Sequence, residues 1–185
     1  YNEEISALFS CGGGELMCEI LDDVDFDKIK KSKPVWFLGY SDNTNLTFLL
    51  PTICDITAIY SPCAPAYGME PWHPSLKDTF ELLTGKSNMA HGYDKWEKES
   101  LKNEENPLVP YNVMEKTEIK KFGASKDDAK TEISGRLIGG CLDCLSNLAG
   151  TKFDKVSDFN EKYKEDGIIW FMESCDLNPM AIRRA

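Results

Sequence analysis

The sequence lacks a long hydrophobic run and an excess of positive charge, and each absence excludes a class of protein. Its longest apolar stretches, at 35–38 and 168–172, have the length of a strand, far below the roughly 18 residues of a membrane-spanning helix. The 31 acidic residues outnumber the 21 basic ones and give a formal net charge of −10, which argues against a general nucleic-acid binder. We therefore expect neither a membrane nor a nucleic acid as a partner.

A regular cysteine framework is also missing. The seven cysteines are an odd number and are scattered among apolar neighbours, which is typical of reduced thiols in a cytoplasmic protein. With 185 residues, 42% of them hydrophobic, the chain can bury a core without disulfides or a metal. Both ends, Tyr1 and Ala185, read as the interior of a domain, so we expect a piece of a longer protein.

The first half of the chain alternates between β-rich apolar segments and helical segments. The run at 35–40 is continuously apolar, as expected of a central parallel strand that is buried on both faces. This alternation predicts an α/β fold with a parallel sheet. The predicted strands lie at 5–10, 35–40 and 57–60, and the predicted helices at 15–21, 25–31, 45–50 and 75–83.

A change to polar, unpatterned sequence after residue 86 sets the predicted domain boundaries. Residues 1–125 are predicted to be a partial N-terminal α/β domain with an insertion at about 87–112. A linker at 126–132 then leads to 133–185, the start of a β-rich α/β C-terminal domain. Its predicted elements are a strand at 132–137, a turn at Gly139-Gly140, helices at 141–148 and from 153 to about 164, and a strand at 168–172.

Ser41 is the strongest candidate for chemistry. It follows the predicted strand at 35–40 and precedes a helix, which places its hydroxyl at the carboxyl edge of the sheet, where α/β folds bind ligands. A serine nucleophile needs such a sharp turn with backbone N–H groups nearby to hold an oxyanion. The alternative is that Ser41 or Asp42 simply caps the helix, and spacing alone does not exclude it.

A second candidate is the run Cys11-Gly12-Gly13-Gly14, which also lies between a predicted strand and a predicted helix. Glycines let the backbone approach a ligand closely, so Gly12 and Gly13 could cradle a phosphate or donate to an oxyanion. The run has neither the Lys-Ser/Thr of a P-loop nor the spacing of a dinucleotide fingerprint. A plain tight turn is the alternative.

Glu173 directly follows the predicted strand at 168–172, and a carboxylate at the carboxyl end of a strand can orient a histidine. A solvated acid at a strand end is the alternative. The two histidines, His73 and His91, lie in polar segments that contain Pro and Gly, so we predict loop residues rather than a general base. Cys141 and Cys144 have C-x-x-C spacing without a matching second pair, so we predict core thiols and no zinc site.

Taken together, five stretches resemble the LD-carboxypeptidase family of serine peptidases, peptidase family S66. Their order and separations cover most of the chain. They are FSCGGG at 9–14, FLGYSDNT at 37–44, YSP at 60–62, GRLIGG at 135–140 and WFME at 170–173.

The resemblance implies a Ser-His-Glu triad with Ser41 as the nucleophile and Glu173 as the carboxylate. It also implies an oxyanion hole formed by the backbone N–H of Asp42 and one from the Gly12-Gly13 turn, and it implies no metal or cofactor. The family fold has an N-terminal α/β domain that carries the nucleophile and a C-terminal domain that carries Glu and His.

The sequence departs from the family pattern at three points. The family's first βα unit, expected ahead of the glycine turn, is not found in it. The family histidine is expected well beyond the carboxylate, and neither histidine of this chain matches it. The Asn that often follows the second-domain Gly-Gly is here Cys141.

Three functions follow as hypotheses. The first is a cytoplasmic serine peptidase that hydrolyses the amide bond before a C-terminal D-amino acid of a murein peptide, with hydrolysis of a microcin C-type acyl-nucleotide toxin as the alternative substrate class. The second is a non-catalytic relative that binds a ligand at the glycine turn. The third is a thiol redox protein that uses Cys141 and Cys144. Family members often dimerise, so a homodimer is a further expectation.

Overall fold

Strands and helices alternate through the computed structural model, which describes residues 4–123 and 132–185. The described strands are β1 (Ala7–Phe9), β2 (Trp36–Gly39), β3 (Ile59–Tyr60), β4 (Lys95–Glu97), β5 (Val113–Lys116), β6 (Arg136–Cys141) and β7 (Ile168–Glu173). The described α-helices are α1 (Phe26–Lys31), α2 (Thr44–Thr47), α3 (Pro74–Leu83), α4 (Leu142–Leu148), α5 (Val156–Lys162) and α6 (Pro179–Arg184). No helix among these residues is both long and apolar enough to cross a bilayer.

The chain divides into two compact units. The first combines Tyr1–Ala64 with Ser134–Ala185, and the second is Pro65–Ile133. The predicted linker at 126–132 lies, apart from Glu132, outside the described residues. The predicted division into partial N- and C-terminal domains therefore stays a prediction.

Two parallel sheets organise the first unit. β2 lies between β1 and β3, and the register pairs Leu38 with Ile59 and Gly39 with Tyr60. β6 and β7 form a separate parallel pair in which Cys141 lies opposite Glu173. The predicted α/β class with a parallel sheet is confirmed, and the carboxyl ends of these strands carry the candidate residues.

One hydrophobic core joins the two segments of the first unit. Phe48 and Leu49, which follow α2, are 4% and 0% exposed and pack with residues from α4, α5 and β6. Burial of each such side chain contributes about 1.5–3 kcal/mol. A buried hydrogen bond from the Cys141 backbone N–H to Thr44 Oγ1, at 2.9 Å, adds a polar link. The core residues are Leu21, Phe48, Leu49, Ile138, Leu145, Leu148 and Phe159.

The predicted turn at Gly139-Gly140 is wrong, because both glycines lie inside β6. Their φ angles are 149° and 143°, in a region that side chains rarely adopt. A Cβ on Gly139 would overlap the carbonyl oxygen of Phe171, and a Cβ on Gly140 would lie 2.6 Å from Thr44 Cγ2. The pair therefore permits a close approach between strands and helix, which is the other common reason for glycine in a strand.

Three further elements differ from their predictions. The predicted helix at 15–21 is a 3-10 helix over Met17–Asp23. The predicted helix at 45–50 divides into α2 and a π-type turn over Leu50–Cys54, which accommodates Pro51. The polar insertion contains β4, which pairs antiparallel with β5 just beyond the predicted end of the insertion, in the second unit.

Asp55 joins the π-type turn to α5 within the first unit. Its carboxylate accepts hydrogen bonds from Lys162 Nζ at 2.7 Å and from the Tyr163 hydroxyl. These two hydrogen bonds, the one from Lys162 having the larger effect, hold the pKa of the Asp55 carboxyl below its ordinary value. A carboxyl group with a lowered pKa stabilises the fold above its unfolded pKa, near 4, and loses that contribution as the pH falls through the folded value.

Asp55→Asn is therefore expected to lower the free energy of unfolding at pH 7 by up to about 1 kcal/mol, because the ion pair is largely exposed. Asn tolerates the left-handed φ of 60° at this position. The difference from wild type should shrink as the pH falls below about 4 in urea titrations. Asp22→Asn, which removes the more exposed pair with Lys152, is the control with no expected effect. A difference for Asp55→Asn that does not change with pH would contradict this assignment.

Candidate functional site

Ser41 lies at a sharp turn immediately after β2. Its φ is 60°, one of two positive values at non-glycine residues in the described chain. Such a conformation costs of order 1–3 kcal/mol and concentrates at functional sites. Ser41 begins the 3-10 helix Ser41–Asn43, which leads into α2. The predicted strand, turn and helix around Ser41 are therefore present.

Helix capping does not account for Ser41 or Asp42. The N-cap residues of the 3-10 helix and of α2 are Tyr40 and Asn43, and neither makes a side-chain capping hydrogen bond. The Asp42 carboxylate instead accepts the Met17 backbone N–H at 3.0 Å and the Asn45 side-chain amide at 3.0 Å. The structure thus removes the capping alternative that spacing left open.

The glycine run lies directly against Ser41. A Cβ on Gly13 would be 3.2 Å from both Cβ and Oγ of Ser41, and a Cβ on Gly14 would be 3.1 Å from Asp42 Oδ2. The two motifs, each of which the sequence placed between a strand and a helix, therefore meet at one edge of the sheet. Any side chain at Gly13 would compete for space with the Ser41 hydroxyl.

Asn43 fastens the glycine run to this turn. Its Nδ2 donates to the Gly12 carbonyl at 2.7 Å and to the Tyr40 carbonyl at 3.0 Å, and the side chain is 1% exposed. The contact is close because Gly39 has no side chain: a Cβ there would lie 2.6 Å from Asn43 Cγ. Asn43 was not singled out from the sequence, although it directly follows the Ser-Asp pair.

Glu173 is the last residue of β7 and is connected to Ser41 through Tyr60. The Tyr60 hydroxyl donates to Glu173 Oε1 at 2.5 Å, and the Ser41 backbone N–H donates to the same hydroxyl at 3.0 Å. Burial, with the hydrogen bond to Glu173, raises the pKa of Tyr60 well above its ordinary value. The structure thus brings Ser41, Glu173, Gly12, Gly13 and Asp42 into the first unit around one turn.

Comparison with protein families decides the relationship. The model described as the LD-carboxypeptidase N-terminal domain matches residues 1–61, and the model described as the LD-carboxypeptidase C-terminal domain matches residues 134–185. This chain belongs to the LD-carboxypeptidase family, peptidase family S66. The resemblance found in the five sequence stretches is confirmed.

Solved structures show the same LD-carboxypeptidase fold. The microcin self-immunity protein MccF, in complex with aspartyl sulfamoyl adenosine, matches with a TM-score of 0.75 and 25% identity over 100% of this chain and 52% of that chain. MccF in complex with glutamyl sulfamoyl guanosine matches with 0.69, 22% identity and the same coverage. Muramoyltetrapeptide carboxypeptidase from Oxalobacter formigenes matches with 0.52 and 18% identity over 97% of this chain and 60% of that chain.

The chain spans about half the length of the MccF structures that it matches. No curated protein sequence matches it significantly.

Both histidines of this LD-carboxypeptidase chain lie in the second unit, in local contacts of their own. His73 caps α3: its Nδ1 accepts the Ser75 backbone N–H at 3.2 Å, and its ring packs against Tyr93 and Tyr111. His91 Nδ1 lies 2.9 Å from the Asp78 carboxylate. These contacts agree with the prediction that both are loop residues.

The C-x-x-C pair lies close to Ser41 in this LD-carboxypeptidase chain. Cys141 ends β6, and Cys144 lies in α4 with its Sγ 3.6 Å from the Ser41 carbonyl oxygen. Burial raises the pKa of the Cys141 thiol. Burial, and to a smaller extent the electrostatic influence of Cys141, raises the pKa of the Cys144 thiol to about 12. Thiols that stay protonated make poor nucleophiles, which favours the predicted packing role over redox chemistry.

Proposed function

We propose that the protein containing this chain is a serine carboxypeptidase that hydrolyses the amide bond before a C-terminal D-amino acid of a murein peptide. Membership of the LD-carboxypeptidase family supports a peptidase in general. The observation that carries the serine mechanism is the strained Ser41 turn, with Gly13 against its hydroxyl and Glu173 tied to its backbone through Tyr60.

In this mechanism Ser41 Oγ attacks the carbonyl carbon of the scissile amide. The tetrahedral oxyanion accepts hydrogen bonds from the Asp42 backbone N–H and from the Gly12-Gly13 turn. A histidine, which the family resemblance places beyond Glu173, takes the hydroxyl proton and returns it to the leaving amine. The D-amino acid departs, and water then releases the acyl group from Ser41.

Glu173 holds that histidine in the tautomer that accepts the proton and stabilises its charged form. The Tyr60 hydroxyl donates a hydrogen bond to Oε1 of the Glu173 carboxylate, so the imidazole N–H can donate to Oε2. Since both oxygens of a carboxylate accept hydrogen bonds, the two contacts are compatible.

Hydrolysis of an acyl-nucleotide of the microcin C type would use the same machinery on a different leaving group. The MccF complexes carry aminoacyl sulfamoyl nucleosides, and their fold is that of this chain. We make this substrate class an outcome of the test below. A cytoplasmic site of action, a homodimer and a place in cell-wall recycling belong to the proposal as well.

The test is incubation of the full-length protein with a murein tetrapeptide that ends in D-alanine. We expect release of D-alanine, measured by chromatography, and no release from the isomer that ends in L-alanine. Covalent labelling by a fluorophosphonate, mapped to Ser41 by peptide mass spectrometry, tests the nucleophile separately. Absence of both release and labelling would reject a serine peptidase. Labelling with cleavage only of an aminoacyl sulfamoyl adenosine would move the substrate to the acyl-nucleotide class.

A further inference from the structure

The side chain of Tyr60 is the single described link between the backbone of the proposed nucleophile and the proposed triad acid. Its hydroxyl accepts the Ser41 N–H at 3.0 Å and donates to Glu173 Oε1 at 2.5 Å. Ser41 follows β2 of the three-stranded sheet, whereas Glu173 ends β7 of the separate β6–β7 pair. No role was predicted for this tyrosine beyond its place in the YSP stretch at 60–62.

The fold explains why residue 60 reaches both partners. β3 is the parallel neighbour of β2, and the register places Tyr60 opposite Gly39, two residues before Ser41. On its other side the Tyr60 ring packs on Phe171 of β7 with ring centroids 5.3 Å apart. Phe171 and Glu173 are two residues apart in a strand, so they face the same side of the β6–β7 pair.

The chemistry of a phenol fixes the direction of both hydrogen bonds. A tyrosine hydroxyl has one proton to donate and lone pairs to accept. The backbone N–H of Ser41 can only donate, so the proton of Tyr60 goes to Glu173. Because the pKa of Tyr60 is raised, that proton stays in place throughout the working pH range.

We infer that Tyr60 is a positioning residue of the proposed reaction, which holds the Ser41 turn in its strained conformation and orients the Glu173 carboxylate. The inference rests on the proposed function. It has a second consequence: the Ser41 N–H is committed to Tyr60, so the oxyanion must be held by other donors. That requirement agrees with the assignment of the Asp42 N–H and the Gly12-Gly13 turn.

Tyr60→Phe in the full-length protein keeps the ring on Phe171 and removes the hydroxyl, and with it the hydrogen bonds to the Ser41 N–H, to Glu173 and to the Thr44 side chain. A hydrogen bond to a charged group is worth about one to two orders of magnitude in an equilibrium or a rate. We expect kcat for D-alanine release, and the rate of fluorophosphonate labelling at Ser41, to fall about ten- to hundredfold with little change in KM. The acid limb of the pH–rate profile should move to higher pH, because a carboxylate without the Tyr60 donor interacts more strongly with the protonated form of the family histidine and favours that form.

Tyr163→Phe is the matched control. Tyr163 also donates to a carboxylate in the first unit, that of Asp55, but takes no part in the proposed machinery. The Tyr163→Phe variant should lose as much thermal stability as Tyr60→Phe, while its kcat and its pH–rate profile stay unchanged. A double-mutant cycle combines Tyr60→Phe with Glu173→Gln. If Tyr60 acts through Glu173, the losses of kcat in the two single variants are strongly non-additive, whereas a packing role of Tyr60 makes them additive.

The outcomes separate the two proposals. If the wild-type protein reacts at Ser41 and Tyr60→Phe leaves the labelling rate, kcat and pH profile unchanged, the inference about Tyr60 is overturned and the peptidase proposal stands. Additive losses in the cycle would likewise overturn it in favour of a packing role. A wild-type protein that neither releases D-alanine nor reacts at Ser41 overturns both.

Discussion

Ser41→Ala is expected to reduce the turnover of the murein tetrapeptide by about 10⁴-fold or more, because removal of a serine nucleophile abolishes the acyl-enzyme route. Alanine keeps the Cβ that lies against Gly13 and needs no new backbone conformation, so the fold should survive. The nearby thiol of Cys144 will not replace the hydroxyl as a nucleophile. Burial, and to a smaller extent the electrostatic influence of Cys141, raises the pKa of the Cys144 thiol to about 12. The measurement is the initial rate of D-alanine release by the purified full-length variant.

The same variant discriminates the peptidase from a non-catalytic binding protein. Calorimetric titration with the tetrapeptide should show binding close to that of wild type, since Ser41→Ala leaves the glycine turn and Glu173 in place. Ser146→Ala, whose hydroxyl only donates to the Asp143 carbonyl on the exposed side of α4, is the control with full activity expected. Turnover by Ser41→Ala equal to that of wild type would show that Ser41 is not the nucleophile.

The fold and the position of Ser41 at a strand end could be predicted because both depend on local pattern. The continuous apolar run at 35–40 identified the central strand that became β2. The family resemblance implied that Ser41 and the Gly12-Gly13 turn lie together, and parallel strands, whose carboxyl ends share one edge of a sheet, allow this. Cys141 was assigned to the core from helical periodicity, and it is buried, although it ends β6 instead of starting a helix.

The connections between distant segments could not be predicted from such patterns. Tyr60 and Glu173 are 113 residues apart in sequence, and no periodicity reports a contact over that separation. In the sequence, Asn43 is one more polar residue at the start of a helix. The structure shows that its side chain packs against Gly39, which is possible because Gly39 has no side chain. The prediction of a turn at residue 139 was wrong for a related reason. A glycine pair is typical of turns, but here it lies in β6 and allows this strand to pack closely.

Gly139→Ala is expected to be the most destabilising single substitution in the β6–β7 pair. The added Cβ would overlap the backbone oxygen of Phe171, which is part of the neighbouring strand and cannot rotate away. The φ of 149° adds conformational strain for any side chain. We expect a loss above about 4 kcal/mol, which is a large share of the 5–15 kcal/mol typical of a folded domain. Urea unfolding followed by tryptophan fluorescence, with the soluble yield, provides the measurement.

Gly150→Ala separates the clash from the conformational cost. Gly150 also has a positive φ, 72°, but a Cβ there meets nothing within 4 Å, so only about 1–2 kcal/mol should be lost. A Gly139→Ala protein with a urea midpoint equal to that of Gly150→Ala would mean that β6 and β7 do not pair in the register described. Because β7 ends at Glu173 and Cys141 of β6 lies opposite it, that result would also remove the support for a carboxylate beside Tyr60. The effect of the Gly139→Ala substitution on stability therefore tests the placement of Glu173 without any measurement of activity.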